Sequence, residues 1–337
     1  MQPKSEIQIT SKIHFKSNEI ENSLKKNGLY KSGTITIFPL LDFDQYMPQD
    51  EYIPPEEDYV FSLENKDENI PFIGVVNYNF QRFGYCLNTY INGDIYFGFY
   101  YKDIINKKGF YSYKPEIKDE YKLSQYYYGE WNNNLFEGKG IYLWLKEDNI
   151  NTPFFSDFNN SNFDAFIGIS EQGLFKKGIL LKYFENKFFI YYGTFSPEGK
   201  KEGKQCFYYS NNLEQICYGT YKNDIFIEGF VGKFNQEGCL IDLIIYKKEE
   251  NGNQEGEKVI INEDQYIANI MTKFRKVVFS KTYFKIIYEE FDRIIKFRDE
   301  KMKNIHNISN DIYDEIVKLF ETNKITLYED IEKNIGI

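Results

Sequence analysis

The feature that most constrains the fold of this chain is a triplet, aromatic-x-glycine, that recurs along its middle. Five copies are complete, and in a sixth a cysteine replaces the first aromatic residue. The copies are Phe72-Ile-Gly74, Tyr96-Phe-Gly98, Tyr127-Tyr-Gly129, Phe166-Ile-Gly168, Tyr191-Tyr-Gly193 and Cys217-Tyr-Gly219. Successive glycines lie 24, 31, 39, 25 and 26 residues apart. A unit of about 23–26 residues is typical of a repeat array, in which stacked neighbours bury what one unit cannot bury alone.

The third copy lies in YYYGEWNNNLFEGKGIYLWL, residues 126–145. Side chains alternate along a strand, so Tyr127, Gly129 and Trp131 share one face. Gly138 and Gly140 share one face of a second strand for the same reason. Three asparagines separate the two runs, and asparagine tolerates the left-handed backbone of a tight turn. We therefore predict a β-hairpin whose glycines make room for aromatic rings.

These units resemble the MORN repeat (membrane occupation and recognition nexus), whose pattern is approximately Y-x-G-x-W-x-x-G-x-x-x-G-x-G. The third copy fits best, with Tyr127, Gly129, Trp131, Gly138 and Gly140, and with Asn134 at a position where glycine is usual. The other copies keep parts of the pattern, at Gly74, Tyr96, Gly98, Gly109, Gly168, Tyr191, Gly193, Gly203, Gly219, Tyr221 and Gly229. The resemblance extends over residues 72–240 and implies tandem antiparallel hairpins.

Glycine placement divides the chain into three regions. Of its 23 glycines, 20 fall between Gly74 and Gly256. We predict an N-terminal segment (1–71), a hairpin array (72–256) and a C-terminal helical region (257–337). The predicted fold class is α+β, an elongated single antiparallel β-sheet of MORN-like hairpins followed by C-terminal α-helices.

The N-terminal segment contains a predicted strand within residues 29–41 and then an acidic arm. Residues 42–70 hold ten acidic side chains against one lysine, Lys66, together with three prolines. Such a composition is typical of an extended, solvated segment. Two interpretations stay open: a loop against the first repeat, or an acidic docking peptide.

The C-terminal region begins with a helix signal, since Asn262 is a good cap and Gln265 follows three residues later. Apolar residues then recur at three-and-four spacing up to Met302, which predicts an amphipathic helix or two nearly continuous ones. We expect the part from Ile267 to Val278 to pack on the last repeats, near Tyr221 and Phe230.

The same helical region is locally basic. Residues 271–303 contain ten Lys or Arg against five Asp or Glu. These charges are either the solvated back of a helix that covers the sheet or a surface for an acidic partner. The candidate partner-binding residues are Lys273, Arg275, Lys276, Phe284, Tyr288 and Phe291.

Composition argues against several classes of function. The formal charge of −10 opposes nucleic acid as a partner, because phosphate binding needs a basic surface. No apolar run is long enough for a transmembrane segment. The two histidines, His14 and His306, lie outside the repeats, and no phosphate loop, calcium loop or nucleophile elbow occurs. We expect no catalytic residue, cofactor or metal site, and four cysteines that are buried thiols in a reducing compartment.

The resemblance to MORN proteins implies a non-catalytic scaffold subunit of a larger protein assembly. Proteins with similar repeats occur in the ciliary axoneme and the cytoskeleton, which implies a cytoplasmic location there and other protein subunits as partners. The alternative implied by the resemblance is a peripheral membrane module that binds anionic phospholipids.

Overall fold

The computed structural model describes residues 7–9, 33–39, 59–65, 72–76, 81–117, 121–147, 162–184, 187–210, 213–248, 254–259, 265–279, 291–297, 300 and 333. The chain divides into two compact units. The first consists of Met1–Lys114, Tyr128–Leu135 and Arg293–Lys324, and the second of Pro115–Tyr127, Phe136–Asp292 and Ile325–Ile337.

The first unit contains strands that pair in chain order. β1 (Ile7–Ile9) lies parallel to β2, and the pairs from β2 to β7 are antiparallel. These strands are β2 (Gly33–Pro39), β3 (Tyr59–Asn65), β4 (Phe72–Val76), β5 (Arg82–Thr89), β6 (Ile95–Tyr101) and β7 (Ile104–Ser112).

One of these strands lies inside the predicted acidic arm. β3 pairs with β2 on one side and β4 on the other, so sheet pairing begins before residue 72. Alternating apolar residues in YVFSLEN allow this pairing, because one face of the strand can be buried. The remainder of the arm, residues 42–58 and 66–70, lies outside the described residues.

The second unit continues the antiparallel pattern. After the short β8 (Glu116–Ile117), which pairs with β9, every strand from β10 to β17 pairs with its successor, up to β18. The later strands are β11 (Asn162–Glu171), β12 (Leu174–Phe184), β13 (Lys187–Phe195), β14 (Lys201–Ser210), β15 (Gln215–Lys222), β16 (Ile225–Phe234), β17 (Leu240–Lys248) and β18 (Gln254–Val259).

The hairpin predicted at residues 126–145 is present. Its strands are β9 (Lys122–Asn132) and β10 (Leu135–Glu147), and Asn133 and Asn134 form the turn with φ of 49° and 67°. Both angles are left-handed, as a two-residue hairpin turn requires. The turn end, residues 128–135, belongs to the first unit and the remainder of the hairpin to the second.

Helical structure follows the strands. α1 extends over Gln265–Phe279 and begins three residues after the predicted cap Asn262, and residues 291–297 are also helical. The predicted α+β class, an antiparallel sheet of tandem hairpins followed by C-terminal helices, is confirmed. Phe284 and Tyr288 lie outside the described residues.

Candidate functional site

Each unit has a sheet face on which glycines of neighbouring strands lie opposite one another. We call this the ladder face. In the first unit Gly98 is the cross-strand partner of Gly109. In the second, a row of four glycines crosses the sheet as Gly140, Gly168, Gly178 and Gly193. Gly219 and Gly229 form a further pair in β15 and β16.

Aromatic rings cover most of these glycines, whereas the nearest atoms to Gly219 and Gly229 belong to the backbone. In the first unit the Tyr96 ring lies over both Gly98 and Gly109, where added side chains would collide with it. Tyr96 is fully buried, and its hydroxyl donates to the carbonyl of Phe99 over 3.1 Å. Burial raises the pKa of Tyr96 well above its ordinary value. Tyr96 is therefore part of the packed core, and its hydroxyl stays protonated there.

The same arrangement recurs in the second unit around Tyr191. Its hydroxyl donates to the carbonyl of Thr194 over 2.9 Å, three residues along as in Tyr96. A Cβ added at Gly193 would lie 2.7 Å from Cζ of Tyr191 and 2.6 Å from Sγ of Cys206. Burial raises the pKa of Tyr191, and the contact with Cys206 adds to that rise. Cys206 thus lies in the glycine row, a position that glycine spacing alone does not reveal.

The residues of the best sequence repeat take the same roles. Tyr127 is buried over Gly140 and stacks on Phe136 with ring centroids 4.5 Å apart. Trp131, in the first unit, approaches Tyr96 edge to face at 5.8 Å and donates its indole N–H to the carbonyl of Gly109. Large rings and glycines alternate because the rings occupy the space that absent side chains leave.

The remaining repeat residues also lie within strands. Phe166 takes the place of tyrosine above Gly168 and Gly178. Tyr221 packs against Tyr191 at 5.4 Å. Gly129 is buried in β9, Gly74 pairs with Cys86 in β4 and β5, and Gly138, Gly203 and Gly229 have positive φ.

Four hairpins share one turn geometry. Each turn has two central residues with positive φ, the first near 50° and the second between 67° and 80°. These angles match the twist of the flanking strands. The residues are Lys102–Asp103, Asn133–Asn134, Gln172–Gly173 and Asn223–Asp224.

In three of these turns the second residue forms two hydrogen bonds with one residue of an earlier strand, outside the hairpin itself. We call this pair of bonds the turn clasp. The amide of Asp224 donates to the carbonyl of Lys201 over 3.1 Å, and Oδ1 of Asp224 accepts from the amide of Lys201 over 2.9 Å. The same two bonds join Asp103 to Arg82 and Asn134 to Ile105. Asn134 therefore supplies a side-chain acceptor as well as a tolerated φ, and glycine could not do both.

The Gln172–Gly173 turn has no Asx side chain and is joined to its neighbour by different hydrogen bonds. Gly173 donates its amide to the carbonyl of Phe136 over 3.0 Å, but it has no side chain to accept a bond in return. Instead Glu137 accepts from the amide of Gln172 over 2.9 Å. In the sequence, the signal for a clasp is an Asp or Asn at the second position of the turn, as in Asp103, Asn134 and Asp224.

The opposite side of the sheet in each unit, which we call the helix-covered face, packs against helical residues. In the second unit Phe274 of α1 stacks on Phe207 with centroids 4.4 Å apart, and Met271 occupies the space above Gly232. Met271 and Phe274 are fully buried. In the first unit Phe297 stacks on Phe97 at 5.6 Å.

The predicted docking of α1 on the last strands is thus correct in part. α1 contacts β15, β16 and β17. Tyr221 does not take part, since its ring lies on the ladder face with Tyr191 and Phe226.

The candidate partner-binding residues separate into two groups. Lys273 and Lys276 are exposed on α1. Arg275 is buried: it forms a 3.1 Å ion pair with Glu214 and lies over the ring of Phe234. It therefore acts within the chain and offers no exposed cation to a partner.

Phe291 is also internal. It is fully buried and lies 6.2 Å from Tyr126, ring to ring. Sequence periodicity places it on the apolar side of a helix but does not say whether that side meets the sheet or a partner. The structure places it on the sheet.

The described part of the chain contains neither a metal-binding group nor a membrane-spanning helix. No group of three or more His, Cys, Asp or Glu residues there could hold a metal ion. No helix among those residues is both long and apolar enough to cross a bilayer.

Comparison with known proteins adds no relative. No protein-family model matches the chain, and no curated protein matches it. The resemblance to MORN repeats therefore stays a prediction from the residues quoted above.

Proposed function

We propose that this protein is a non-catalytic scaffold subunit of a larger assembly, of the ciliary axoneme or the cytoskeleton. The observation that carries the proposal is repetition of one structural solution. Three turn clasps and four rings packed over glycines repeat the same contacts along the strands. Arrays built this way present extended surfaces, which repeat proteins use to bind other proteins.

Within the described residues, the ladder side chains support a structural role. The hydroxyls of Tyr96 and Tyr191 donate to backbone carbonyls of their own strands or turns. Burial raises the pKa of both phenols, so neither is prepared to act as a base. These are contacts that hold a sheet together.

The surface that we propose for a partner is the outer side of α1. Lys273 and Lys276 are exposed there, and Tyr266 is 71% exposed on the same helix. Two cations beside an aromatic ring suit an acidic protein surface. The chain's acidic character elsewhere makes this local basic site distinctive.

The test is the partition of the tagged full chain after detergent extraction of its own cells. We expect the wild-type protein in the insoluble cytoskeletal fraction and the Lys273→Glu/Lys276→Glu variant in the soluble fraction. Lys187→Glu/Lys204→Glu is the matched control, since both lysines are exposed on strands, and it should stay insoluble. A wild-type protein that is wholly extracted contradicts the scaffold proposal.

The second candidate function is peripheral binding to anionic phospholipid. Its support is the same exposed group of Tyr266, Lys273 and Lys276, because basic and aromatic side chains together favour a membrane interface. Co-sedimentation with phosphatidylserine vesicles at physiological salt, absent with phosphatidylcholine and lost in Lys273→Glu/Lys276→Glu, would place this function first.

A further inference from the structure

The turn between β5 and β6 contains the dipeptide Asn92-Gly93, which is chemically labile in an open chain. The backbone nitrogen of a glycine that follows asparagine is unshielded and can attack the asparagine side chain. In this turn both residues are exposed to solvent. Gly93 has a φ of +89°, so a glycine is required for the backbone conformation.

The folded turn holds each atom that this reaction needs. The Gly93 amide donates to the carbonyl of Tyr90 over 2.9 Å. Oδ1 of Asn92 accepts from the amide of Asp94 over 3.0 Å, and Nδ2 of Asn92 donates to Oδ2 of Asp94 over 2.7 Å. The Asn92 side chain must therefore leave Asp94 before its Cγ can meet the Gly93 nitrogen.

Asp94 is the residue through which a change at Asn92 would spread. It is 8% exposed, and its carboxylate also accepts from the Tyr111 hydroxyl over 2.8 Å and from the Lys114 amide over 2.7 Å. Tyr111 in turn lies 5.8 Å from Trp131, ring to ring, on the ladder face. The turn is thus connected to the aromatic packing of the first unit.

We propose that Asn92 is a conditional deamidation site, protected while the turn is closed and modified when it opens. The Gly93 nitrogen loses its proton and bonds to Cγ of Asn92, the Cγ–Nδ2 bond breaks, and ammonia leaves. Water then opens the resulting succinimide to aspartate or isoaspartate. No oxidant or cofactor is involved.

The product cannot rebuild the same turn. An aspartate at residue 92 puts a carboxylate where an amide donated to Asp94, and two carboxylates at hydrogen-bond distance repel. An isoaspartate lengthens the backbone between Tyr90 and Asp94. In the closed turn the Tyr90 amide donates to the carbonyl of Asp94 over 2.8 Å. Deamidation is therefore a one-way change that keeps the turn open.

The first experiment follows deamidation of the full-length wild-type protein in mildly alkaline buffer, folded and in urea. Mass spectrometry of the tryptic peptide between Arg82 and Lys102 measures the exchange of the amide for a carboxyl group. Asn88 in the same peptide precedes threonine and is the internal control. We expect Asn92 to deamidate at least about tenfold more slowly in the folded protein than in urea, because only molecules with an open turn react. Equal deamidation rates of Asn92 in the folded protein and in urea would overturn the proposal that the closed turn protects it.

The second experiment tests the consequence with Asn92→Asp, which mimics the product. We expect hydrogen exchange of the Lys114 amide to quicken by about tenfold as its acceptor is disturbed. Asn92→Asp/Asp94→Asn should recover part of the protection, because one amide again faces one carboxylate. Asn132→Asp, at an exposed strand end, is the charge-matched control and should leave the exchange unchanged. Wild-type exchange in Asn92→Asp overturns the proposal that the product keeps the turn open.

Discussion

The two faces of the sheet in the second unit are buried by different means. On the ladder face, rings of the strands themselves cover glycines, as Tyr191 covers Gly193. On the helix-covered face, Phe207 is buried beneath Phe274 of α1. The first face needs only neighbouring strands, whereas the second needs a segment far away in sequence. The hairpin repeat alone can therefore specify the packing of the ladder face, whereas the packing of the helix-covered face depends on α1.

The two tryptophans allow the faces to be measured separately. Trp144 is on the ladder face of the second unit, since it shares the strand parity of Gly140, and Trp131 is on the ladder face of the first unit, where it packs on Tyr96. Tryptophan emission therefore reports the ladder, and hydrogen exchange of α1 reports the other face.

Removal of Phe274 should have the largest effect. Phe274→Ala deletes a fully buried ring that stacks on Phe207, and such a deletion costs about 3–5 kcal/mol. We expect rapid exchange throughout α1 and binding of a hydrophobic dye, with tryptophan emission unchanged below the melting temperature. Lys273→Ala, at the adjacent exposed position, should do neither. A simultaneous shift of tryptophan emission would show that the faces are not separable.

A side chain in the glycine row should have the converse effect. In Gly168→Val the new Cβ would lie 2.6 Å from the Cα of Gly178 and 2.8 Å from Cζ of Phe166. Overpacking of this kind costs about 1–3 kcal/mol, and we expect altered tryptophan emission with α1 still protected. The control is Gly199→Asn, because Gly199 has open space around it and asparagine tolerates its φ of +76°. Unaltered emission and melting temperature in Gly168→Val would refute the ring-over-glycine packing.

Loss of one clasp should be smaller and local. Asp224→Gly keeps the left-handed turn but removes the acceptor of the Lys201 amide, a hydrogen bond worth about 0.5–1.5 kcal/mol. Exchange of the Lys201 amide should quicken while α1 stays protected. Asn223→Gly changes the other turn residue, and equal effects of both variants would show that the side-chain bond is unimportant.

The smallest expected effect concerns Asp164, which lies opposite Trp144 on the ladder face. Burial raises the pKa of Asp164 above its ordinary value, although Lys182 and Lys146 oppose the rise. The ionised form is therefore disfavoured in the fold, so wild-type stability should increase as pH falls through that raised pKa. Asp164→Asn should melt slightly above wild type at neutral pH, and the difference should vanish in acid. A lower melting temperature for Asp164→Asn than for wild type at neutral pH would contradict the sign.

The parts of the fold that sequence predicts are those encoded within one hairpin. The shared parity of Tyr127 and Trp131 and the asparagines between the strands were enough to place β9, β10 and their turn, since all three depend on local backbone preference. The class of fold followed from the recurrence of this hairpin signal and from the three-and-four spacing of apolar residues after Asn262.

The parts that sequence misses depend on contacts between segments distant in the chain. Arg275 looked like one more cation of a basic helix, yet Glu214, 61 residues earlier, pairs with it. Asn134 could be explained by its φ alone, but its bond to Ile105, 29 residues away, needs the strand order to be known. Residue type gave the right preference in both cases, while the partner came from the tertiary structure.

The glycine row also acts as a gauge of alignment between strands. Phe166 fits because Gly168 and Gly178 face each other beneath it. If β12 slid by two residues along β11, Leu180 or Lys176 would replace Gly178, and the ring would meet a side chain instead of a gap. A slip by one residue would move every apolar side chain of the strand to the wrong face. A misaligned pairing of β11 and β12 is thus disfavoured by steric clash, and the glycines help to select the native register.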